Sequence, residues 1–313
     1  MTSGAGQKSP TLARRPDAAA LNRMSRDERL GLIRSSSGRA KYDLLLDARD
    51  GAELAPLLHP QEIYLCINAI GPEYASELLL LTSTEQFTTL IDLDCWEGDR
   101  LDPAASLKWL ALLLETGEEK ACRTLVEMEP ELVTLMLKLF IRVTAGPEVY
   151  DSDDADANAN RLEGLYDIEY RDEEAAKIVG GLLQMLQKNV EQVWIQLLEL
   201  VRGEFDSTLE EEVYRLRGNR LLDYGFSAPA EARSLYTRVD PATFVPLGGK
   251  DYNRATADLA SPAALLRLAE PGGLLAEILA GGIDHDLASE LSMLANRKLA
   301  ADLINPGDLS VHK

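Results

Sequence analysis

The residues best suited to chemistry lie in the stretch "DLDCWEGDRLDP", residues 92–103. Clustered carboxylates can hold Mg²⁺ or Ca²⁺, which prefer oxygen ligands, and paired carboxylates can act as acid and base. A structural interpretation competes with both, in which an aspartate caps the next helix and the tryptophan fills a corner between helices. The side chains concerned are Asp92, Asp94, Trp96, Glu97, Asp99 and Asp102.

The corner interpretation is favoured, because no His or Lys stands within the stretch to complete a catalytic set. We therefore predict no catalytic residues. A metal site formed by Asp92, Asp94 and Asp99 stays open as an alternative, with Mg or Ca as its ion, and no other cofactor is expected. In the corner interpretation Gly98 permits the turn, and Asp92 and Asp99 are solvated or paired with Arg100.

A second candidate is "YRLRGNRLLDYGF", residues 214–226. Arg215, Arg217 and Arg220 stand beside Asp223 and could form a binding surface for an anionic group or a partner carboxylate. Together with Trp96 they are the predicted binding residues.

A structural interpretation also competes for this second stretch. Glu211 precedes Arg215 by four residues, which is the spacing of an ion pair on a helix surface. Gly218–Asn219 resembles the end of a helix, where Arg217 would suit the negative end of the dipole. Ser207 and Glu210 stand at the spacing of a capping box that would begin this helix.

An acidic segment further along invites a calcium interpretation. Asp156, Asn158, Asn160 and Asp167 occupy positions 1, 3, 5 and 12 of an EF-hand-like loop. Position 6, where glycine is required, is Arg161, and position 12 is not the usual glutamate. Plain flexibility is therefore the favoured interpretation of this segment.

The rest of the sequence predicts an all-α fold. Aromatic residues make up only 6% while Leu and Ala are plentiful, which favours helices over strands. Within residues 56–93, Glu62, Glu73 and Glu85 recur near the start of short apolar runs, as suits the first turn of a helix. Short helices bury their apolar faces by stacking, so we predict a superhelical, α-solenoid-like array followed by a second helical domain.

Changes in composition divide the chain into four predicted segments. One short strand is predicted near the end of the third segment, because "GLYDIEY" alternates apolar and polar residues. In the long helical pattern that follows, Gly180–Gly181 is the candidate interruption. The segments are a flexible basic N-terminal segment (1–41), a helical repeat domain (42–146), an acidic linker or loop (147–174) and a second helical domain (175–313).

The charge of the chain argues against nucleic acid as a partner, and its cysteines indicate a compartment. The net charge is −20, and phosphate binding relies on Lys and Arg, so nucleic acid is a poor candidate partner. No apolar run reaches the ~20 residues that span a bilayer, and no signal peptide is evident. Three cysteines without a C-x-x-C pair favour a reducing, cytoplasmic location.

Two resemblances follow from these stretches. "DLDCWEGDRLDP", "YRLRGNRLLDYGF" and "YDLLLDARD" (42–50) are similar to stretches of an uncharacterised bacterial family of unknown function. That resemblance implies no established activity and no catalytic residues, and it implies a C-terminally incomplete second domain. Residues 56–93 resemble, in the style of their repeats, the cytosolic N domain of MgtE-type magnesium transporters.

Three functions are compatible with these features. The leading hypothesis is a cytoplasmic scaffold or regulatory protein, not an enzyme, that binds a protein partner through its superhelical surface. The alternative is a module that responds to divalent cations through its acidic clusters. A third option is an enzyme in which Asp92, Asp94 or Asp99 are buried together in a pocket.

Overall fold

A computed structural model describes residues 16–145, 166–238 and 285–304, with a few isolated positions between 240 and 277. Its described residues form the predicted all-α fold, with two short antiparallel two-stranded sheets. The helices are α1 (Ala18–Leu21), α2 (Arg26–Ser35), α3 (Gly38–Asp47), α4 (Gly51–Leu54), α5 (Pro60–Ile70), α6 (Ala75–Leu81), α7 (Thr84–Asp94), α8 (Pro103–Glu115), α9 (Glu118–Glu127), α10 (Pro130–Lys138), α11 (Glu173–Asn189), α12 (Glu191–Gly203), α13 (Asp206–Leu222), α14 (Pro229–Ala232) and α15 (His285–Asp302).

Three short 3-10 helices and four strands complete the described structure. The 3-10 helices cover Ala55–Leu57, Pro72–Tyr74 and Arg233–Tyr236. Strand β1 (Trp96–Glu97) pairs with β2 (Arg100–Leu101), and β3 (Ile141–Ala145) pairs with β4 (Tyr166–Tyr170). Among the described residues, no helix combines the length and the apolarity that a membrane span requires.

Helices α3 to α9 are arranged in two rows. Helices α3, α5, α7 and α9 contact one another in succession, and α4, α6 and α8 form the second row. Each short helix therefore packs against the second helix after it, which is how stacked helices bury apolar faces that none could bury alone. This arrangement agrees with the predicted superhelical array.

A single apolar core connects this array to the helices that follow it. The buried cluster extends from Leu21 to Leu221, and α11 lies against α8 while α10 contacts both α12 and α13. The predicted linker at 147–174 therefore does not separate two independent cores. Of that segment, residues 147–165, including Asp156, Asn158 and Asn160, lie outside the described residues.

The N-terminal prediction requires correction from residue 16 onward. Helices α1 and α2 and the start of α3 lie within the segment predicted to be flexible. Helix α2 begins with a capping box, in which Ser25 and Glu28 satisfy each other's backbone N–H groups. Arg29 is buried and forms a two-point ion pair with Asp50, so its charge ties α2 to the repeat array.

The middle of the chain contains one predicted strand and one unpredicted strand. Helix α10 ends at Lys138, and Ile141–Ala145 forms β3 beside β4, the strand predicted from "GLYDIEY". The long helical pattern is interrupted at Val190 instead of Gly180–Gly181. A Cβ at Gly181 would lie 3.2 Å from a Leu114 methyl carbon, so that glycine permits close helix packing.

Candidate functional site

The two conspicuous stretches of the sequence lie against each other in the fold. Residues 92–103 form the corner between α7 and α8, and α13 packs on α7 at this corner. The contact is made by Asp92 and Trp96 on the corner and by Tyr214, Arg217 and Arg220 on α13. The predicted binding residues are thus partly brought together, although most of these contacts are internal.

Asp92 is a fully buried carboxylate with a complete set of partners. Its two oxygens accept from Nε and Nη2 of Arg220 at 2.7 and 2.9 Å, and Arg220 also donates to Glu129. Burial raises the pKa of the Asp92 carboxyl, while the hydrogen bonds from Arg220 oppose that shift. The prediction that Asp92 is solvated or paired with Arg100 is therefore wrong, because its partner comes from α13.

Asp94 is held by the core of the repeat array. It accepts from the Tyr64 hydroxyl at 2.6 Å and from the Trp109 indole N–H at 2.7 Å. Lys108 lies 3.7 Å from the same carboxylate. Both oxygens of Asp94 thus serve to join α5, α7 and α8.

The remaining residues of the stretch form a tight β-hairpin. Gly98 has φ +66°, a conformation that favours glycine, so the predicted turn is confirmed. Asp99 is exposed beside it. In the described part of the chain, no group of three or more His, Cys, Asp or Glu side chains is placed to hold a metal ion. Asp92 and Asp94 accordingly have different partners, and Asp99 lies at the surface apart from both.

Asp102 caps the start of α8 as predicted, and replacing it tests how much this cap stabilises the protein. Its carboxylate accepts from the backbone N–H groups of Ala104 and Ala105 at 3.1 and 3.0 Å. We expect Asp102→Ala to lower the free energy of unfolding by about 1 kcal/mol, because two N–H groups lose their partner. Urea unfolding measures this, and Asp99→Ala is the control that should change it by less than ~0.5 kcal/mol.

Trp96, Tyr214 and Arg217 form a stack that we call the aromatic–arginine cluster. The Arg217 guanidinium lies 5.1 Å from the Trp96 ring centre and 6.0 Å from that of Tyr214. The two rings are 5.8 Å apart and tilted by 52°. Trp96 and Arg217 are half-buried, and Tyr214 is 37% exposed. The cluster therefore presents aromatic and cationic groups at the surface from a packed base.

Arg215 and Asp223, which were also predicted to bind, stand apart from this cluster and from the Asp92–Arg220 pair. Arg215 is exposed and lies 3.7 Å from Glu212, so its ion-pair partner is one position nearer than the predicted Glu211. Asp223 is exposed at the end of α13. The predicted helix end at Gly218–Asn219 is wrong, since α13 continues to Leu222 and thereby carries Arg220 to Asp92.

The predicted start of α13 is also wrong. The helix begins at Asp206 after Phe205, and no side chain caps it, so Ser207 and Glu210 do not form a capping box. Lys138 instead lies 2.9 Å from Asp206 and donates to the Glu204 carbonyl, fixing this end of the helix from α10.

Sequence reasoning missed a buried polar junction at the start of α5. Asn296 of α15 exchanges two hydrogen bonds of 3.0 Å with Gln61, and donates to the Tyr224 carbonyl at 2.8 Å. His59 accepts from the Gln61 N–H through Nδ1, and its enclosed Nε2 has no hydrogen-bond partner in the described part of the chain. No sequence signal joins Gln61 to Asn296, because 235 positions separate them.

A second missed feature is a buried ion pair between Lys41 and Glu62. Both side chains are 4% exposed, and the pair ties α3 to α5. The sequence placed Glu62 at a helix start, where an exposed carboxylate is expected. The structure gives it a buried structural role instead.

A small enclosed cavity lies where α8, α9, α10 and α11 meet. Its walls are entirely apolar, so it offers no acid, base or nucleophile. The lining residues are Phe87, Leu110, Leu125, Met128, Val133, Met136, Leu137, Leu182, Leu183 and Leu186. The thiols of Cys66, Cys95 and Cys122 are buried and form no disulfide, and burial raises the pKa of Cys95 well above its usual value.

The fold and the site define an all-helical protein in which an ion-paired corner supports a surface cluster of aromatic and arginine side chains. The chain belongs to a family of unknown function (DUF6178), which matches residues 18–312. This confirms the resemblance to an uncharacterised family. The resemblance of residues 56–93 to MgtE-type transporters is not confirmed. Neither the curated proteins nor the solved structures give a significant match.

Proposed function

We propose that this chain is a cytoplasmic scaffold or regulatory protein that binds a protein partner at the aromatic–arginine cluster. The observation that carries the proposal is the partial exposure of Trp96, Tyr214 and Arg217 in one stack. Trp, Tyr and Arg are the residue types that dominate binding energy at protein interfaces. Their packed base keeps the side chains ordered, so little conformational entropy is lost on binding.

The buried polar groups support a binding role over an enzymatic one. Asp92, Asp94 and Glu62 have partners inside the protein. A carboxylate engaged in this way is not free to exchange protons with a substrate. The buried thiols of Cys66 and Cys95, which form no disulfide, are consistent with the proposed cytoplasmic location.

The experiment compares the proteins that bind to three tagged forms of the full chain in native lysate. Tyr214→Ala removes the most exposed ring of the cluster, and Phe205→Ala is the matched control, since Phe205 is 78% exposed at the other end of the same helix. We expect a partner that the wild type and Phe205→Ala recover equally and that Tyr214→Ala recovers about tenfold less. Equal recovery by all three forms would overturn the proposal.

The cation-responsive alternative remains a separate proposal with its own test. It rests on the acidic composition of the chain, and Asp99 is its one predicted ligand that is exposed. Calorimetric titration with MgCl₂ and with CaCl₂ would have to show saturable binding at low millimolar concentration. Binding that Asp99→Asn removes would support the alternative, and an absence of heat would exclude it.

A further inference from the structure

The aromatic–arginine cluster contains a guanidinium whose terminal nitrogens hydrogen-bond to no carboxylate among the described residues. Arg217 uses Nε to donate to the backbone carbonyl of Asp92 at 3.0 Å. Within the described residues its two terminal nitrogens have no hydrogen-bond partner, and they are not among the enclosed polar atoms. The two terminal N–H₂ groups of Arg217 therefore lie at a half-buried position without an acceptor among the described residues.

The charge of Asp92 acts on Arg217, but the Asp92 side chain accepts no hydrogen bond from Arg217. Both oxygens of Asp92 accept from Arg220, whose remaining terminal nitrogen binds Glu129. Arg220 is thus saturated with two carboxylates, while Arg217, three residues earlier on α13, has none among the described ion pairs. The terminal N–H groups of Arg217 are half-buried and lack an acceptor among the described residues, and an incoming carboxylate would supply one.

The exposed face of the cluster indicates which partner groups would lie beside an incoming carboxylate. The Tyr214 ring packs beside Trp96 and covers apolar surface, while the guanidinium fork of Arg217 matches the geometry of two carboxylate oxygens. The chain already carries a net charge of −20. That charge disfavours a phosphate dianion or a polyanion relative to a single carboxylate on a partner.

We propose that the partner group seated on this cluster is an aspartate or glutamate side chain flanked by apolar residues. Its carboxylate accepts from the terminal nitrogens of Arg217, and its apolar neighbours pack on Tyr214 and Trp96. This inference rests on the proposed function, because it names the chemistry of the partner at the same surface.

The test uses three short peptides as probes and the intact chain as receptor. The peptides are acetyl-Leu-Glu-Leu-amide, the same peptide with Gln, and the same peptide with phosphoserine. Binding is followed through the indole N–H signal of Trp96 in ¹H–¹⁵N spectra, which Trp96→Phe assigns. We expect the Glu peptide to shift this signal saturably, with a dissociation constant on the order of 1 mM, and the Gln peptide to shift it at least about tenfold less.

Two arginine variants separate the fork geometry from the charge. Arg217→Lys retains the charge but loses the fork, so we expect it to weaken binding of the Glu peptide by about tenfold. Arg215→Lys on the same helix is the matched control, with a change below ~2-fold, because Arg215 is exposed and paired with Glu212.

The outcomes distinguish this inference from the proposed function. Equal shifts by the Glu and Gln peptides, tighter binding of phosphoserine, or no shift with any peptide would each overturn the carboxylate assignment. In those cases a partner that depends on Tyr214 would still support the proposed function. If Tyr214→Ala captures every partner of the wild type, the proposed function itself fails, whatever the peptides do.

Discussion

Replacing Arg220 with Met should lower the free energy of unfolding by about 3–5 kcal/mol, because it leaves the Asp92 carboxylate buried without a partner. Asp92 is fully buried, and both of its oxygens depend on this one guanidinium. Methionine retains much of the apolar length of arginine, so the loss reports the ion pair more than the packing. Urea unfolding followed by circular dichroism measures the change.

The matched control is Arg215→Met on the same helix. Arg215 is exposed and its contact with Glu212 spans 3.7 Å, so the change should remain within ~0.5 kcal/mol. The double variant Asp92→Leu/Arg220→Met should recover much of the loss, since an apolar pair can replace a buried ion pair at little cost. Equal stability of Arg215→Met and Arg220→Met would contradict the structure of this corner.

Acidification should destabilise the protein through His59, by about 3 kcal/mol at pH 4. The imidazole is buried, which lowers its pKa from 6.5 to about 3 in the folded chain. Below pH 6.5 the unfolded chain binds a proton that the folded chain does not, so stability falls as the pH decreases from 6.5 toward 3. The ring also lies 4.7 Å from Tyr224, beside the junction with α15.

The matched variant is His59→Asn, which keeps a side-chain acceptor at the start of α5 but cannot titrate in this range. Carboxylates elsewhere contribute equally to both proteins, so the difference between their pH profiles isolates His59. We expect the free energy of unfolding of the wild type to fall by about 3 kcal/mol more than that of the variant between pH 7 and pH 4. Parallel profiles would show that His59 is not buried as a neutral ring.

Local signals in the sequence predicted the elements that depend on local chemistry. Asp102 and Pro103 mark the start of α8, because an N-cap side chain accepts from backbone N–H groups two or three positions later. The strand Ile141–Ala145 was missed although its signal was present. Buried Ile141 and Val143 alternate with exposed positions, as a strand requires.

Contacts between distant segments could not be predicted from the same signals. Asp92 and Arg220 are 128 positions apart, so no spacing rule connects the carboxylate to its guanidinium. The stretch at 92–103 therefore favoured a solvated corner and left a metal site open, and neither interpretation included the partner from α13. Gly181 shows the same limit, because the glycine is explained by Leu114 on another helix and not by a local break.

The candidate site was predicted in its residues but not in its organisation. Trp96, Arg217 and Arg220 were selected by type, and the structure joins them through α13. What separates Arg217 from Arg220 is the number of carboxylates that each one reaches, which depends on tertiary packing alone. The sequence therefore identified residues of this surface. Only the fold shows that Arg220 is held by internal ion pairs while the terminal nitrogens of Arg217 are not.

The most direct test of the proposed function is the affinity of the recovered partner, once purified, for the wild-type chain and for Tyr214→Ala. Circular dichroism should show equal folding of the two forms, because Tyr214 is 37% exposed. Binding at the aromatic–arginine cluster predicts a dissociation constant at least about tenfold higher for Tyr214→Ala, with Phe205→Ala unchanged. Dissociation constants that agree within about twofold for all three forms would contradict it.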